Sequence, residues 1–370
     1  MDLYIDRDDF ARGLARVQSV VERRSTQPIL SNVLLVARPD GLRMTATDTE
    51  VAYIGELAAN VQQPGELAVD ANNLFQVIRT LPDKTVRLTI GSGNRLDIRC
   101  GRSFFRVPGL PADEYPSLPP FEQRGAIRVG ERELRRLVDQ TSFSVATDDS
   151  RYGLNGVHLE AQSGDAPALR FVATDGHRLS AAESKYTGEL ALSPRTLVPR
   201  KALSVLRKLL DGPNDDVELV FGDKAMRMTR SGETFWFRLL DGEFPDYRAV
   251  VPTAGKHQVV LQRNDLSATL KRVSLLVFER TRAVKFAFGT EELTIEIANA
   301  DRGEVKEALP IELQGDAITV GFNVRYLQDV LGVLSGDRVH LEMAHPLGPC
   351  LVRDPDADGA FFVVMPMRLD

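Results

Sequence analysis

Apolar and polar residues alternate along most of this chain in short runs, interrupted by a few segments where apolar residues recur at helical spacing. Two stretches stand out. Met44 to Glu56, MTATDTEVAYIGE, and Phe171 to Glu183, FVATDGHRLSAAE, each lead an apolar run into Ala-Thr-Asp, pass a polar turn and return to alternation. The pattern predicts a β-hairpin at both places. A weaker third copy, Leu293 to Leu309, puts Asn299-Ala300-Asp301 at the turn. The copies lie roughly 125 residues apart, too far for a solenoid unit and suitable for a domain. Three related domains are expected, at 1–124, 125–252 and 253–370.

The elements around each hairpin repeat as well. In the first domain, Leu3 to Ile5 is a strand, and Phe10 to Val21 is an amphipathic helix that Asp8 or Asp9 would cap. Strands follow at Ile29 to Ala37 and Leu42 to Ala46, then a second helix at Asn72 to Leu81 and three closing strands before a proline-bearing linker, Pro108 to Pro120. The second domain places helices at Glu131 to Phe143 and Lys201 to Leu210. The third places them at Leu266 to Leu275, capped by Asp265, and at Val324 to Leu334. Asp113-Glu114-Tyr115-Pro116 and Glu243-Phe244-Pro245-Asp246-Tyr247 end the first two domains alike. Each domain thus holds two helices and about eight antiparallel strands, an α+β organisation in which the helices cover one sheet face.

Composition narrows the functional classes. Against 52 acidic residues stand 46 basic ones, a net charge of -6, which argues against a whole surface that grips nucleic acid but allows one basic face. Five of the six helices carry Arg or Lys off their apolar stripe, among them Arg16, Arg24, Arg135, Arg136, Lys201, Arg207, Lys271 and Arg272. Solvated charge is ordinary on any single helix, whereas its recurrence favours a shared basic surface. Cys100 and Cys350 have no partners at metal-ligand spacing and fit a reducing compartment, so neither metal nor cofactor is expected. Charges in the opening MDLYIDRDDF and the lack of a long apolar run predict a cytoplasmic protein with no membrane partner. Asp175 and His177 are the one pair that could orient and abstract a proton. No nucleophile motif or phosphate loop accompanies them, and no enzyme is expected.

Further motifs carry a resemblance: Pro28-Ile29-Leu30, Arg151-Tyr152-Gly153-Leu154-Asn155-Gly156, Ala173-Thr174-Asp175-Gly176-His177-Arg178-Leu179, Val198-Pro199-Arg200-Lys201, Phe244-Pro245-Asp246-Tyr247-Arg248, Gly321-Phe322-Asn323-Val324 and Val364-Met365-Pro366-Met367-Arg368-Leu369. In this order, on a threefold repeat over the whole chain, they resemble the bacterial DNA polymerase III beta subunit family, the sliding clamps. The resemblance implies three tandem clamp folds and a head-to-tail homodimer whose six domains ring double-stranded DNA. It implies a processivity factor that tethers the replicative DNA polymerase alpha subunit, the clamp loader, translesion polymerases and mismatch-repair proteins through a hydrophobic pocket. By matching motif, that pocket would use Arg151, Leu154, Thr174, Gly176, His177, Arg178, Leu179, Pro245, Val250, Asn323, Tyr326, Val363, Met365, Pro366, Met367, Arg368 and Leu369. DNA contacts would fall to Arg24, Arg200 and Lys201, with Asn72 and Asn73 standing where family members often have a basic residue. The dimer contact would join Arg102 and Phe105 to Leu275, Leu276, Phe278, Glu304 and Glu307 of a second copy.

Overall fold

The alternating runs become antiparallel strands, and the helical stripes become helices that seal one face of the sheets. The computed structural model describes residues 1–21, 27–148, 152–162, 167–190, 192–193, 195–212, 215–253, 255–277, 283–299 and 303–369. Six α-helices fall among the described residues: α1 (Arg7–Val17), α2 (Ala71–Ile78), α3 (Glu131–Thr141), α4 (Arg200–Leu209), α5 (Arg263–Val273) and α6 (Val324–Val333). Among the described residues each repeat has nine strands against the expected eight or so, because short strands such as Ala59–Gln63, Thr187–Glu189 and Leu313–Gln314 add to the longer ones.

Several boundaries differ from the sequence reading for local reasons. Asp6, rather than Asp8 or Asp9, caps α1, since its carboxylate accepts the backbone N–H groups of both, and the helix ends at Val17. Asp265 lies within the first turn of α5, where an acid favours the helix dipole without capping it. Pro28–Ser31 forms a 3-10 turn before the strand Asn32–Arg38, as a proline at its first position allows. The third hairpin is present as Glu292–Asn299 and Gly303–Pro310, while Ala300 and Asp301 lie outside the described residues.

Two structural units result, and their boundary runs through the second repeat rather than at its ends. Unit 1 comprises 1–132, 187–193 and 201–239; unit 2 comprises 133–186, 194–200 and 240–370. Strand pairing between repeats explains the division. In unit 1 a 14-stranded sheet is continuous because Val51–Leu57, the second strand of the first hairpin, pairs with Glu233–Arg238, the last strand of the second repeat. Phe10, Leu14 and Val17 of α1 are fully buried, and α1 packs beside α2 and over the hairpin. In unit 2 a nine-stranded sheet is continuous because Arg178–Lys185, the second strand of the second hairpin, pairs with Ala360–Val364, the last strand of the third repeat. Its core gathers Phe286, Phe288, Phe322 and Phe362 beneath α5 and α6, with the rings of Phe286 and Phe322 edge to face at 5.3 Å.

The same rule leaves one pair of strands unmatched. The second strand of the third hairpin, Gly303–Pro310, is the outer strand of a four-stranded sheet, and each of its residues is exposed or half-buried. The last strand of the first repeat, Ser103–Leu110, pairs along one side with Arg95–Cys100, while on its other side only Gly109 and Leu110 are paired. Among the described residues, no helix is long and apolar enough to cross a membrane, and no cluster of three or more His, Cys, Asp or Glu is placed to hold a metal ion.

Candidate functional site

The Ala-Thr-Asp motifs build the same turn twice. In the first, the Thr47 hydroxyl donates to Val51 O (2.8 Å) and accepts the Thr49 N–H (3.0 Å), while Asp48 Oδ1 accepts from the N–H groups of Glu50 (2.9 Å) and Val51 (2.8 Å). In the second, Thr174 donates to Arg178 O (2.6 Å) and accepts from Gly176 (3.1 Å), and Asp175 Oδ1 accepts from His177 (2.9 Å) and Arg178 (3.0 Å). Thr49 and Gly176 take the left-handed position, at φ 80° and 87°. The second carboxylate oxygen then holds a cation: Lys201 pairs with Asp48, and Arg178 with Asp175. Asp175 is therefore engaged in shaping the turn.

Beside the second turn lies a cavity of about 180 Å³, wholly within unit 2. Of the residues assigned by motif, Leu154, Thr174, Gly176, Arg178, Leu179, Pro245, Val250, Val363 and Met365 line it, and Asp246 and Tyr247 line it too. The sequence contains the signal for Tyr247, because it occupies the place of Tyr115 in the repeated closing motif. Three elements converge here. The hairpin supplies Leu179, the strand Ala360–Val364 supplies Val363 opposite it in register, and the segment after Leu240 supplies the third wall. That wall is fastened from behind. Phe244 stacks on His158 at 5.1 Å, Tyr247 donates to Glu160, and Arg248 pairs with Glu160. Burial first, and then its bond to Glu160, holds the Tyr247 phenol above its ordinary pKa, so it remains a donor.

Arg178 is the fixed point at the rim. Its guanidinium pairs with Asp175 and Asp329, donates to Phe143 O, and lies 4.6 Å from the Tyr326 ring and 5.3 Å from that of Phe143. The His177 ring stacks over Tyr326 at 6.5 Å, and its carbonyl accepts the Met365 N–H (2.9 Å). Two residues later, Met367 N–H donates to Gly321 O (2.8 Å), so the C-terminal tail is strapped down on both sides of Pro366. A side chain at Gly321 would overlap the Met367 carbonyl, which accounts for glycine there. Asn323 is buried and caps α6 by accepting from Arg325 N–H (3.1 Å), a structural placement. Arg368 and Leu369 turn away to line a separate trough with Lys285 and Glu296. Arg151 lies outside the described residues.

The other predicted sites are distributed as follows. Arg24 and Phe278 lie outside the described residues. Arg200 is exposed at the start of α4, and Lys201 is half-buried against Asp48. Much of the expected basic surface is paired within the chain, with Arg16 on Asp211, Arg136 on Glu133 and Arg272 on Glu307. Glu307 is thus already held in a two-pronged pair, and the Arg272 guanidinium keeps its carboxyl below the ordinary range. Leu275, in the turn that contacts Gly303–Pro310, is 74% exposed, and Phe105, on the strand Ser103–Leu110, is 38% exposed; Leu276 is half-buried, and Arg102 and Glu304 are exposed. Phe104, 48% exposed with the guanidinium groups of Arg99 and Arg106 at 4.9 and 5.4 Å from its ring centroid, is a further exposed aromatic that the motifs do not single out.

Three models of one family match in succession: the DNA polymerase III beta subunit N-terminal domain at residues 1–119, its central domain at 128–246 and its C-terminal domain at 248–368. Over its full length the chain is 36% identical across 372 residues to the beta sliding clamp of Caulobacter vibrioides and 32% identical to that of Escherichia coli (strain K12), covering 100% of each protein. Among solved structures it is similar to a DnaN sliding clamp from Bartonella birtlesii bound to griselimycin, with a TM-score of 0.94 at 32% identity and complete coverage of both chains. A sliding clamp from Caulobacter crescentus gives 0.93 at 36%, again over both whole chains. With the repeated hairpins, the paired seams and the full-length matches in agreement, the chain belongs to the DNA polymerase III beta subunit family, the sliding clamps.

Proposed function

We propose that two copies of this chain close head to tail into a six-domain ring around duplex DNA, and that the unit 2 cavity captures short peptide segments of the proteins it tethers. The chain serves as a DNA polymerase processivity factor. One observation carries the ring: two of three equivalent seams close within the chain, and the strands that would make the third, Ser103–Leu110 and Gly303–Pro310, retain open edges. Open edges with exposed apolar neighbours call for a partner strand, and a heterologous contact that closes after two copies is a symmetric solution. Arg102, Phe105, Leu275, Leu276, Phe278, Glu304 and Glu307 belong to that contact, with Arg102 meeting Glu304 because Arg272 already occupies Glu307. The domain limits 1–124, 125–252 and 253–370 belong to the same reading, which the spans of the three family models support.

The pocket reading rests on an apolar cavity with a fixed guanidinium at its rim and Met365 in its lining, a combination suited to a short peptide whose partners vary. It includes Pro366 and Met367 as the strap and His177 and Tyr326 as the stacked rim, and the motif match assigns Arg151, Asn323, Arg368 and Leu369 to it as well. The replicative polymerase alpha subunit, the clamp loader, translesion polymerases and mismatch-repair proteins are the partners this role requires, and the cytoplasm is where they would meet. Arg24, Arg200 and Lys201 are assigned to DNA. No catalysis is assigned, since Asp175 shapes a turn rather than orienting the His177 ring.

The test is mass, then retention. Light scattering should give twice 40.9 kDa, stable to dilution, and Leu275→Ala with Leu276→Ala should give monomers. Loaded protein should survive high salt on closed circular DNA and leave once the circle is cut, because encirclement lacks the salt dependence of phosphate contacts. A dilution-stable monomer, or equal loss before and after cutting, would reject the ring.

A further inference from the structure

The first seam contains the same parts as the second, in the same register, and they are closed. Trp236 stands opposite Ala52 as Val363 stands opposite Leu179. Arg238 N–H donates to Glu50 O (2.8 Å) as Met365 N–H donates to His177 O (2.9 Å). Leu118 follows Tyr115 at the same interval at which Val250 follows Tyr247. What differs is the cover. Leu118 and Phe121 pack onto a small cluster of Ala52, Ala225 and Trp236, separate from the main core. The guanidinium of Arg227, cross-strand neighbour of Trp236, lies 5.3 Å from the Phe121 ring centroid.

This cover is attached lightly. Pro116 to Gln123 belong to neither helix nor strand, and the segment is fastened at its ends by Tyr115 N–H to Ala112 O (3.0 Å) and Arg124 N–H to Phe221 O (2.8 Å). Beneath it, Trp236 Nε1 and Arg227 Nε are buried donors with no acceptor among the described residues, and Trp236 is only 6% exposed. Adjacent unsatisfied donors under an apolar cover suit an occupant that brings a carbonyl oxygen as well as apolar side chains.

We propose that the first seam is a second peptide-binding pocket, held shut by the chain's own linker from Leu118 to Phe121. The proposal rests on reading the unit 2 cavity as a peptide site. Its ligand is an extended peptide with an aliphatic and an aromatic side chain spaced as Leu118 and Phe121 are, and with a backbone carbonyl directed at Trp236 and Arg227. The linker acts as a tethered competitor. If it leaves about 1% of the time, apparent affinity is weakened about 100-fold relative to the open pocket.

Trp236 is the chain's single tryptophan, so its fluorescence reports this site directly. The experiment compares the full chain with Phe121→Ala, using as probe a synthetic peptide of residues 116–124, which contains no tryptophan. Phe121→Ala should red-shift the emission and expose it to acrylamide. The peptide should reverse both effects saturably, at least tenfold more tightly than in the unsubstituted chain. Should Phe121→Ala fail to fold by circular dichroism, Arg227→Gln, which frees the ring from its outer contact, is read in the same way. Emission unchanged in a folded variant, or a red shift that the peptide does not reverse, overturns the proposal. Repeating the titration in a variant ending at Val364 separates the two readings. A retained Trp236 response there upholds the first-seam pocket whatever happens in unit 2, and loss of the response assigns the signal to the unit 2 cavity and refutes it.

Discussion

The turns at Thr47–Val51 and Thr174–Arg178 share four hydrogen bonds and a cation on the aspartate, yet their surroundings diverge. The first is sealed. Tyr115, itself buried, accepts the Thr47 N–H (3.2 Å) and donates to Asn32 O (3.1 Å), and Trp236 covers Ala52. The second has Val363 in place of Trp236 and Arg178 in place of Val51, and beside it the cavity opens. The backbone thus fixes where two repeats join, while the side chains decide how the junction is filled: Trp236 with Leu118 and Phe121 over it at the first, and a cavity at the second.

The sharpest way to break this comparison is to make the second seam like the first. Val363→Trp should plug the unit 2 cavity and weaken peptide binding on the order of 100-fold, about 2.7 kcal/mol, with the dimer mass unchanged. Calorimetric titration with a polymerase-derived peptide would read it, and undiminished affinity would refute the assignment of the cavity. A smaller effect is expected at the sealed turn. Tyr115→Phe leaves the buried Thr47 N–H without its acceptor and should cost about 1–3 kcal/mol in chemical denaturation, with peptide affinity untouched.

The smallest effect is a pH dependence confined to unit 2. Burial above all, with Arg248 adding to it and Glu160 opposing, holds His158 below its ordinary value of 6.5, and the Thr196 backbone and the Phe244 ring are its other neighbours. A depressed histidine favours the folded state fully above 6.5 and loses that contribution as pH falls through the folded value. The wall behind Tyr247 should therefore loosen in acid. Peptide affinity should decline a few-fold from pH ~7.5 to ~5.5, and His158→Gln should flatten the profile. A wild-type profile already flat would remove His158 from the account.

Much of this was legible in the sequence because repetition was. Alternation located the hairpins, and the threefold spacing located the repeats. The resemblance carried by their motifs groups residues of the second turn with those of the strand ending at Val364, and residues of both line the cavity. Pairing between repeats is not legible, since no local pattern reveals that Val51–Leu57 will find Glu233–Arg238, and so the sequence does not disclose the division into units. Charges were read as exposed because sequence shows residue types and not partners; Lys201 on Asp48 and Arg272 on Glu307 are structural pairs as well as basic residues. Asn323 is a buried cap, a structural role that only its place before α6 discloses.

The segments after Tyr115 and Tyr247 run across the first and second seams and tie each covalently, whereas the strands Ser103–Leu110 and Gly303–Pro310 have no peptide link to the partners their edges await. Under tension a ring of such chains has its breaking points determined in advance. Every tethered junction can breathe and reclose at high local concentration, while an untethered one, once parted, recloses only as fast as its halves meet again. A machine that must thread DNA through the ring need only work at such a joint.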